Sequence, residues 1–370
     1  MQKVDCTMKT ITSVELAKLA GVSQSTVSRC LNDSPLVSES TKARVKKLAE
    51  EYSFQFNTNA RGLKTNRTGL IGYVFSEDFT GFANHYIQSD IYYRIRMHLA
   101  KEGLDLVPVF DDRKFGERFA IEKSISNRRF DALIFNRPQV SERVQNLLVE
   151  TKIPYIFIYD TNESSDVPFM IAPSHTLIGS LVGRAFCEAG YTRFVELTGP
   201  SDRIDVIHKH TGFTQVLHQY GHELPDSHIL CANYHLEEAT AVTLAHRELF
   251  QPGTACFAQN DMMALGVLEG LRQCGISVPE DVAIIGSDNI PMGKWFRPNL
   301  TTVGIDYDSI IELTVRWILA MTEGRLPNSY RHVLSSKLII RDTFCPEYIG
   351  EFIFSVYEYV CKRILRCKYK

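Results

Sequence analysis

The stretch from Ser23 to Asn32, with the run before it, constrains the N-terminal part of this chain more than any other feature. Apolar residues recur at three- and four-residue steps from Val14 to Ala20, and the run breaks at Gly21-Val22. Gly21 can adopt the left-handed backbone that ends a helix, and Ser23 is a favoured N-cap for the next one. The spacing predicts two packed helices, joined through Leu16, Ala17, Leu19 and Ala20 of the first and Val27 and Leu31 of the second.

The outer face of the second predicted helix is polar. It presents Gln24, Ser25, Ser28 and Arg29, which combine short donors and acceptors with one guanidinium. A helix with such side chains near its N-terminal end has the width and the chemistry to read base edges in the major groove of DNA. Spacing alone leaves a second interpretation open, namely a solvated helical hairpin with ordinary polar residues outside.

A longer motif separates these interpretations. The segments Ala20-Gly21-Val22-Ser23, Thr26-Val27-Ser28-Arg29 and Leu31-Asn32 form a pattern that resembles the head of the lactose-repressor/galactose-repressor family. The resemblance implies a helix-turn-helix DNA-binding domain over residues 1–56. Its implied DNA contacts are Ser23, Gln24, Ser25, Thr26, Ser28, Arg29 and Asn32. Periodicity predicts a third helix, from Ser38 or Ser40 to about Tyr52, that closes the core of this domain.

Residues 57–68 occupy the place of the family's hinge helix. The resemblance implies that two such segments, one from each subunit, become ordered on the operator and enter the minor groove, with Leu63 as the wedge. The implied contacts are Asn57, Ala60, Arg61, Leu63 and Lys64. A missing proline after the third helix and Gly62 inside the hinge both weaken this segment as a free helix. The alternative is a polar linker.

Charge and cysteine usage are consistent with a DNA-binding head on an intracellular protein. Residues 1–68 contain 11 Lys+Arg against 6 Asp+Glu, whereas the remainder contains 30 against 37. A basic head on an acidic body suits nucleic-acid binding by the head alone. Nine scattered cysteines without Cys-x-x-Cys spacing, and the lack of a secretion signal, predict reduced thiols and a cytoplasmic, nucleoid-associated location. No metal site, cofactor or membrane contact is expected.

Short apolar runs alternate with helical patterns from Leu70 onward. This alternation predicts buried parallel strands with crossover helices, in two successive sets. The resemblance implies an α/β two-lobe body like a periplasmic binding protein, made of two doubly wound parallel sheets, over residues 69–343. Residues 344–370 form a C-terminal extension to which the sequence assigns no role.

A cleft between the two lobes is the expected place for a small-molecule effector. The implied effector-binding residues are Phe79, Arg203, Asp205, Lys209, Asn260 and Asp288. Lys209 stands where the family has an arginine, so a point charge replaces a guanidinium fork. With Arg203 nearby, this favours an acidic ligand such as a sugar acid or sugar phosphate, with a neutral sugar as the alternative. Arg203 and Lys209 are otherwise solvated helix-end cations, and Asn260 is otherwise a helix cap.

The resulting hypothesis is a homodimeric transcriptional regulator, by preference a repressor, that binds a pseudo-palindromic operator and responds to a sugar or sugar derivative. Helix faces such as Ile91–Leu99 would form the dimer. An enzyme is disfavoured because the sequence contains no P-loop, no Gly-x-Gly-x-x-Gly after a strand, no nucleophile elbow and no metal motif. A sugar-transport protein is disfavoured by the basic head and by the lack of a secretion signal. No catalytic residue is predicted.

Overall fold

The computed structural model describes residues 11–31, 33–52, 54, 67–75, 85–110, 120–136, 140–159, 167–325 and 329–345. Contacts divide the chain into two units, residues 1–68 and 69–370, which are described separately. Seven of the predicted contact residues lie outside the described residues: Asn32, Asn57, Ala60, Arg61, Leu63, Lys64 and Phe79. The same holds for residues 346–370 of the C-terminal extension.

The first unit contains three helices, α1 (Ser13–Ala20), α2 (Gln24–Leu31) and α3 (Glu39–Glu51). Thr12 and Glu15 form a capping box at the start of α1, and Gly21 ends this helix with a left-handed backbone at φ 62°. Ser23 caps α2, since its Oγ accepts a hydrogen bond from the Thr26 amide at 3.1 Å. These local signals set the short turn between α1 and α2.

A small apolar core holds the three helices together. Its buried members are Leu16, Ala17, Ala20, Val27, Cys30, Val45 and Ala49. The expectation that Leu19 packs in this core is wrong, because Leu19 is 50% exposed and is not a member of the core cluster. Cys30, which the sequence analysis did not use, is fully buried, whereas Leu31 is only half-buried at the edge of the core.

The second unit contains two six-stranded sheets. The first has β1 (Leu70–Phe75), β2 (Asp105–Val109), β3 (Ala132–Asn136), β4 (Tyr155–Ile158), β5 (Phe169–Pro173) and β11 (Tyr330–Leu334), in the order β2-β1-β3-β4-β5-β11. Every neighbouring pair in it is parallel. Its lobe, here the first lobe, includes the helices α4 (Tyr86–Lys101), α5 (Ala120–Ser126), α6 (Glu142–Thr151) and α11 (Tyr307–Thr322).

The second sheet has β6 (Arg193–Thr198), β7 (Ile229–Cys231), β8 (Thr254–Ala258), β9 (Val282–Ser287), β10 (Thr301–Ile305) and β12 (Ser336–Ile339). Their order is β7-β6-β8-β9-β10-β12, and only β12 runs antiparallel to its neighbour among these strands. Its lobe, here the second lobe, includes the helices α7 (His175–Glu188), α8 (Ile204–Gln219), α9 (Leu236–Ala245) and α10 (Asp261–Cys274).

The chain passes between the lobes three times, after β5, after β10 and after β11. Two doubly wound parallel sheets connected in this way confirm the predicted α/β two-lobe body. The sequence analysis missed β5, α7, β11 and β12. Strand β11 is partly exposed at the sheet edge and includes Arg331 and His332, so it has no continuous apolar run to recognise.

Helices α7 and α8 make the closest helix contact of the body, and two glycines allow it. A Cβ on Gly179 of α7 would lie 1.9 Å from the Lys209 carbonyl oxygen, and a Cβ on Gly212 of α8 would lie 2.0 Å from the Thr176 carbonyl oxygen. Both distances are far inside van der Waals contact, so only glycine fits at either place. The contact fixes the backbone of α8 beside Lys209.

The helix segment from Ile91 to Leu99 has one buried face and one exposed face. Ile91, Ile95 and Leu99 are fully buried in the core of the first lobe, so the expectation of an exposed apolar face is wrong for these three residues. The solvent-facing apolar residues of α4 are Tyr86, Tyr93 and Met97. Among the described helices, none is long and apolar enough to cross a membrane.

Candidate functional site

The predicted DNA-contacting side chains form one polar face on α2. Ser23, Gln24, Ser25 and Arg29 are exposed, and Thr26 and Ser28 are half-buried beside them. The opposite face of α2 is held in the core by Val27 and Cys30. The structure therefore brings six of the seven predicted contacts of this domain together, and the seventh, Asn32, is outside the described residues.

Several of these side chains are already oriented by hydrogen bonds. The Ser23 hydroxyl lies 2.8 Å from both the Ser25 and the Thr26 hydroxyls. The Gln24 amide nitrogen donates to the Ser13 hydroxyl at 2.8 Å, which ties the start of α2 to the start of α1. Pre-oriented donors and acceptors lose less side-chain entropy when they bind a base or a phosphate.

The second unit has a cleft, here the interlobe cleft, between its lobes at the carboxyl ends of the strands. Its lining comes from the start of α4 in the first lobe, from the β4 end, and from five segments of the second lobe. The lining residues are His85, Tyr86, Ile87, Gln88, Tyr159, His175, Arg203, Asp205, Lys209, Tyr234, Asn260, Met262, Asp288 and Ile290. Five predicted effector residues meet here, and the sixth, Phe79, is outside the described residues.

Asp205 is the centre of a buried charged network in the interlobe cleft. Its Oδ2 lies 3.3 Å from the Lys209 Nζ, one helical turn further along α8. The Tyr234 hydroxyl donates to the same carboxylate, at 3.0 Å from Oδ1 and 3.1 Å from Oδ2. Burial alone would raise the pKa of Asp205, but Lys209 and the other groups around it, including the Arg203 guanidinium, lower it to about 2. Asp205 is therefore a fixed anion at neutral pH.

Both predicted cations face this carboxylate and not open solvent. Lys209 is 3% exposed, and its Nζ also donates to the Gln259 carbonyl oxygen at 3.0 Å. The Arg203 Nε lies 3.8 Å from the Asp205 Oδ1, at the N-cap of α8. The interpretation of these residues as solvated helix-end cations is wrong for Lys209, because it is buried and paired. Their position in the interlobe cleft is compatible with ligand contact.

Tyr234 was missed by the sequence analysis, although it completes the Asp205 network. It lies in the loop after β7, where Asn233 and Tyr234 both have positive φ, at 48° and 67°. Its ring packs on Gly199, where a Cβ would come within 2.2 Å of the ring. Left-handed backbone at two consecutive non-glycine residues is strained, and such strain clusters at functional sites. The loop conformation that brings Tyr234 into the cleft leaves no periodic signal in the sequence.

Asp288 provides a second carboxyl group with the opposite protonation tendency. It follows β9 with a φ of 126°, which is unusual for a residue with a side chain. Burial raises the pKa of Asp288 to about 8, and the neighbouring Asp261 adds to this, while Lys209 opposes it. The Tyr307 hydroxyl lies 3.3 Å from its Oδ1. At neutral pH, Asp288 therefore keeps its proton and can donate as well as accept a hydrogen bond.

Asn260 is the N-cap of α10. Its Oδ1 accepts from the Met263 amide at 2.8 Å, and its Nδ2 donates to the Tyr234 carbonyl oxygen at 3.2 Å. The cap interpretation therefore holds, and the residue still lines the interlobe cleft. Its amide also helps to hold the loop with Tyr234.

His175 is a cleft residue that the sequence analysis did not single out. It is 2% exposed, the Tyr159 backbone lies within reach of its ring, and neither ring nitrogen makes a well-formed hydrogen bond among the described residues. Burial lowers the pKa of His175 to about 3, and the Lys209 charge adds to this. A neutral imidazole whose hydrogen-bonding capacity is not fully used lines the cleft. The described residues contain no group of three or more His, Cys, Asp or Glu side chains that could hold a metal ion.

A polar helix face suited to DNA and a buried polar cleft define a DNA-binding protein with a ligand-binding body. Residues 12–57 match the model of the "Bacterial regulatory proteins, lacI family", and residues 184–344 match a "Periplasmic binding protein-like domain". The chain therefore combines a DNA-binding domain of the lacI family with a periplasmic-binding-protein-like domain. The resemblance found in the sequence is thereby confirmed.

Named relatives and solved structures agree with this assignment. The chain is 27% identical to the HTH-type transcriptional repressor PurR of Vibrio atlanticus, over 78% of this chain and 85% of that protein. PurR of Vibrio vulnificus is 25% identical over 89% of this chain and 97% of that protein. The Lac repressor bound to ONPG in the repressed state shares the fold, with a TM-score of 0.79, 24% identity, and coverage of 91% of this chain and 100% of that chain. The CelR–cellobiose complex has a TM-score of 0.66, 22% identity, and coverage of 90% and 100%.

The function predicted from the sequence is confirmed at the level of the family. The chain is a DNA-binding transcriptional regulator with an effector-binding body, and its relatives are repressors and not enzymes.

Proposed function

We propose that this chain is a homodimeric repressor that binds a pseudo-palindromic operator through two copies of α2 and is released or retained by a small molecule in the interlobe cleft. The PurR relatives are transcriptional repressors, which supports repression over activation. A solved Lac repressor of the same fold is a dimer bound to operator, which supports a dimeric assembly on DNA for this chain. The residues proposed for base and backbone contact are Ser23, Gln24, Ser25, Thr26, Ser28, Arg29 and Asn32, with Asn57, Ala60, Arg61, Leu63 and Lys64 in the hinge.

The effector class that the cleft geometry supports best is a neutral polyhydroxyl compound, such as a sugar or a polyol. This choice rests on the two cations near Asp205. Lys209 is paired with the Asp205 carboxylate, and the Arg203 guanidinium lies close to the same carboxylate. A sugar acid or phosphate would have to compete with Asp205 for these two cations. A hydroxyl group instead donates to the Asp205 carboxylate and accepts from a neighbouring donor without removing any charge pair.

The protonated Asp288, the Asn260 amide and the neutral His175 extend this pattern. Each offers a hydrogen bond without a net charge, and each lines the interlobe cleft. A ligand that leaves the remaining hydrogen-bonding capacity of these buried groups unused binds more weakly. The cleft therefore favours a ligand with several hydroxyl groups at fixed spacing. The sugar-bound state of CelR, a protein of the same fold, is consistent with this choice.

Effector binding controls DNA affinity through the relative populations of two body conformations. A ligand that contacts both lobes binds more tightly to the conformation in which the lobes are closer. It shifts the population only by the ratio of its affinities for the two conformations. The hinge segment, residues 57–68, directly precedes the first lobe in the sequence, so we expect a change in lobe arrangement to alter how the two heads reach the operator.

A thermal-shift screen of the full chain tests the effector class. The probes are neutral sugars and polyols, sugar acids and sugar phosphates at matched ionic strength. A compound that binds the folded form raises its melting temperature by mass action. Stabilisation by neutral sugars, lost in Asp288→Ala but kept in Asp342→Ala, supports the proposal. Stabilisation by sugar acids or sugar phosphates alone would contradict the proposal and would identify Arg203 and Lys209 as the main ligand contacts.

A further inference from the structure

Glu196 is a fully buried carboxylate that the effector site does not use. It lies in the middle of β6, where its neighbours Val195 and Leu197 are apolar core residues. An isolated buried carboxylate is costly, so a residue of this kind needs partners on both oxygens. Glu196 has them, because its Oε2 is 2.6 Å from the His210 Nδ1 and its Oε1 accepts from the Gln259 Nε2 at 2.7 Å.

Gln259 connects this carboxylate to the effector site. Its side-chain nitrogen faces two acceptors, the Glu196 Oε1 and the Val206 carbonyl oxygen at 3.3 Å, which fixes the orientation of the amide. The backbone carbonyl oxygen of the same residue, and not its side chain, accepts from the Lys209 Nζ at 3.0 Å. Gln259 is 0% exposed, so water does not interrupt this sequence of contacts.

His210 is the member that reaches solvent. It follows Lys209 on α8, and its side chain is 36% exposed, whereas that of Glu196 is 0% exposed. The hydrogen bond to Glu196 raises the pKa of His210, burial opposes this, and the charges of Glu196 and Asp226 add to it. The groups that face the imidazole are therefore Glu196 on β6 and Asp226 in the turn before β7. Protonation at this one surface position changes the charge beside a buried carboxylate.

We propose that His210, Glu196 and Gln259 form a buried relay that positions the Lys209 ammonium from behind and couples the interlobe cleft to protonation at the protein surface. The proposal rests on the proposed function in one respect, the assignment of Lys209 to the effector site. Glu196 and Gln259 are positioning residues, since neither lines the cleft. His210 below its pKa balances the Glu196 charge. At a pH above the pKa of His210, the imidazole is neutral and no longer balances the negative charge of Glu196. The electrostatic attraction of Glu196 for the Gln259 amide and for the Lys209 ammonium is then stronger.

The test is a titration of His210 in the full-length chain, which needs no effector. Histidine labelled with ¹³C at Cε1 is followed by NMR, and the His210 signal is the one absent from His210→Gln. In the wild-type chain we expect a pKa above the ordinary value of 6.5. In Glu196→Gln we expect it to return toward that value, because the buried negative charge is gone.

A double-mutant cycle then separates the relay from a direct effect through space. Lys209→Met removes the cation and is expected to raise the pKa of His210 by about 0.4 or more, which corresponds to about 0.5 kcal/mol of coupling. In a Gln259→Leu background, which removes the hydrogen bond to Glu196 but keeps the backbone carbonyl at Lys209, this change should become smaller. Lys209→Arg keeps the cation and is expected to leave the pKa of His210 near its wild-type value. If Lys209→Met does not fold, Asp205→Asn replaces it, with the opposite direction expected because the Lys209 charge is then less compensated.

Two outcomes overturn the relay. One is no change in the pKa of His210 on altering Lys209 or Asp205 in the wild-type background. The other is an equal change with and without the Gln259 side chain, which would mean that the charges interact directly. Neither outcome depends on effector binding. Loss of the proposed effector role would instead show as a normal effector response in Lys209→Met, with the titration coupling intact.

Discussion

The Asp205 carboxylate and the Lys209 ammonium lie 3.3 Å apart, one turn apart on α8, and both are almost completely removed from solvent. Sequence spacing of four makes such a pair common on helix surfaces, where it contributes little. Here the same spacing is turned into the interlobe cleft. Burial increases the energetic cost of losing either partner, because the remaining charge would be buried without compensation.

Breaking this pair from one side is expected to destabilise the body strongly. In Asp205→Asn, the Lys209 charge stays buried without its partner, and we expect the free energy of unfolding to fall by about 3–5 kcal/mol. Urea unfolding of the full chain measures it. Glu312→Gln is the matched control, because Glu312 and Arg316 form an i,i+4 pair with both side chains 69% exposed. Similar losses in both variants would refute the distinction, whereas the double variant Asp205→Asn/Lys209→Met should recover part of the loss.

Arg29→Ala is expected to separate DNA binding from ligand binding. Arg29 is exposed on α2 and makes no contribution to the buried core of the head. If it reads a base edge, its loss costs about 1–3 kcal/mol, which is roughly a 5- to 150-fold weaker operator affinity. Fluorescence anisotropy at one stated salt concentration, on a duplex selected from random sequences, measures this. Arg44→Ala, on the exposed face of α3, is the control for general charge loss. A reduced effector response in Arg29→Ala would contradict the division of roles.

Asp288 makes the stability of the body depend on pH in a defined direction. Its pKa is about 8 in the folded state, against an ordinary value of 3.8. Between these values the folded state binds more protons than the unfolded state, so this contribution to stability falls as pH rises and is constant above about 8. Asp288→Asn removes the titration and keeps the shape. We expect its stability relative to the wild type to increase from pH 5 to pH 8 in urea unfolding; parallel curves would refute the raised pKa.

His175→Phe tests whether the unpartnered imidazole serves the ligand or the core. Neither ring nitrogen makes a well-formed hydrogen bond among the described residues, so the apolar ring replaces a poorly satisfied buried polar group. We expect the free energy of unfolding to stay equal or to rise by up to about 1–3 kcal/mol, while the effector response is lost. Thermal unfolding with and without the effector measures both. A core role predicts the reverse, a loss of stability with a normal response.

The glycine contact between α7 and α8 predicts a graded loss of function. Gly179→Ala places a methyl group against the Lys209 carbonyl, and an overpacked contact of this kind costs about 1–3 kcal/mol. It should also displace Lys209 and weaken effector binding. Gly183→Ala is the milder comparison on the same helix, since its Cβ would lie 3.0 Å from the nearest atom, the Phe213 carbonyl oxygen. Thermal-shift titrations should rank the two variants in that order.

The sequence and the structure agree best where one local signal decides the outcome. The strand Leu70–Phe75 is a continuous apolar run, and Asp261–Cys274 has an N-cap before it and Gly275 after it, so their bounds could be read directly. Asn260 and Asp288 could be placed at the cleft because they follow predicted strands, whose carboxyl ends meet there. Asp205 and Lys209 were placed there by the resemblance to the family.

The remainder depends on tertiary contacts. Tyr234 enters the cleft through two left-handed residues, and His175 does so through α7, which the apolar pattern did not reveal. The partners of Lys209 could not be anticipated either. Its pairing with Asp205 and Gln259 changes the preferred effector from an acid to a neutral sugar.

The late position of β11 in the sequence leaves the edge of β5 uncovered during synthesis on the ribosome. Strands β1–β5 are complete by residue 173, but the strand that covers the edge of β5 begins at residue 330. At about 5–20 residues per second, that edge waits roughly 10–30 s before its neighbour is translated. An uncovered parallel edge invites pairing with other nascent chains. Chains translated close together on one messenger would meet at this edge, so slow translation before residue 330 should favour misassembly over the native fold.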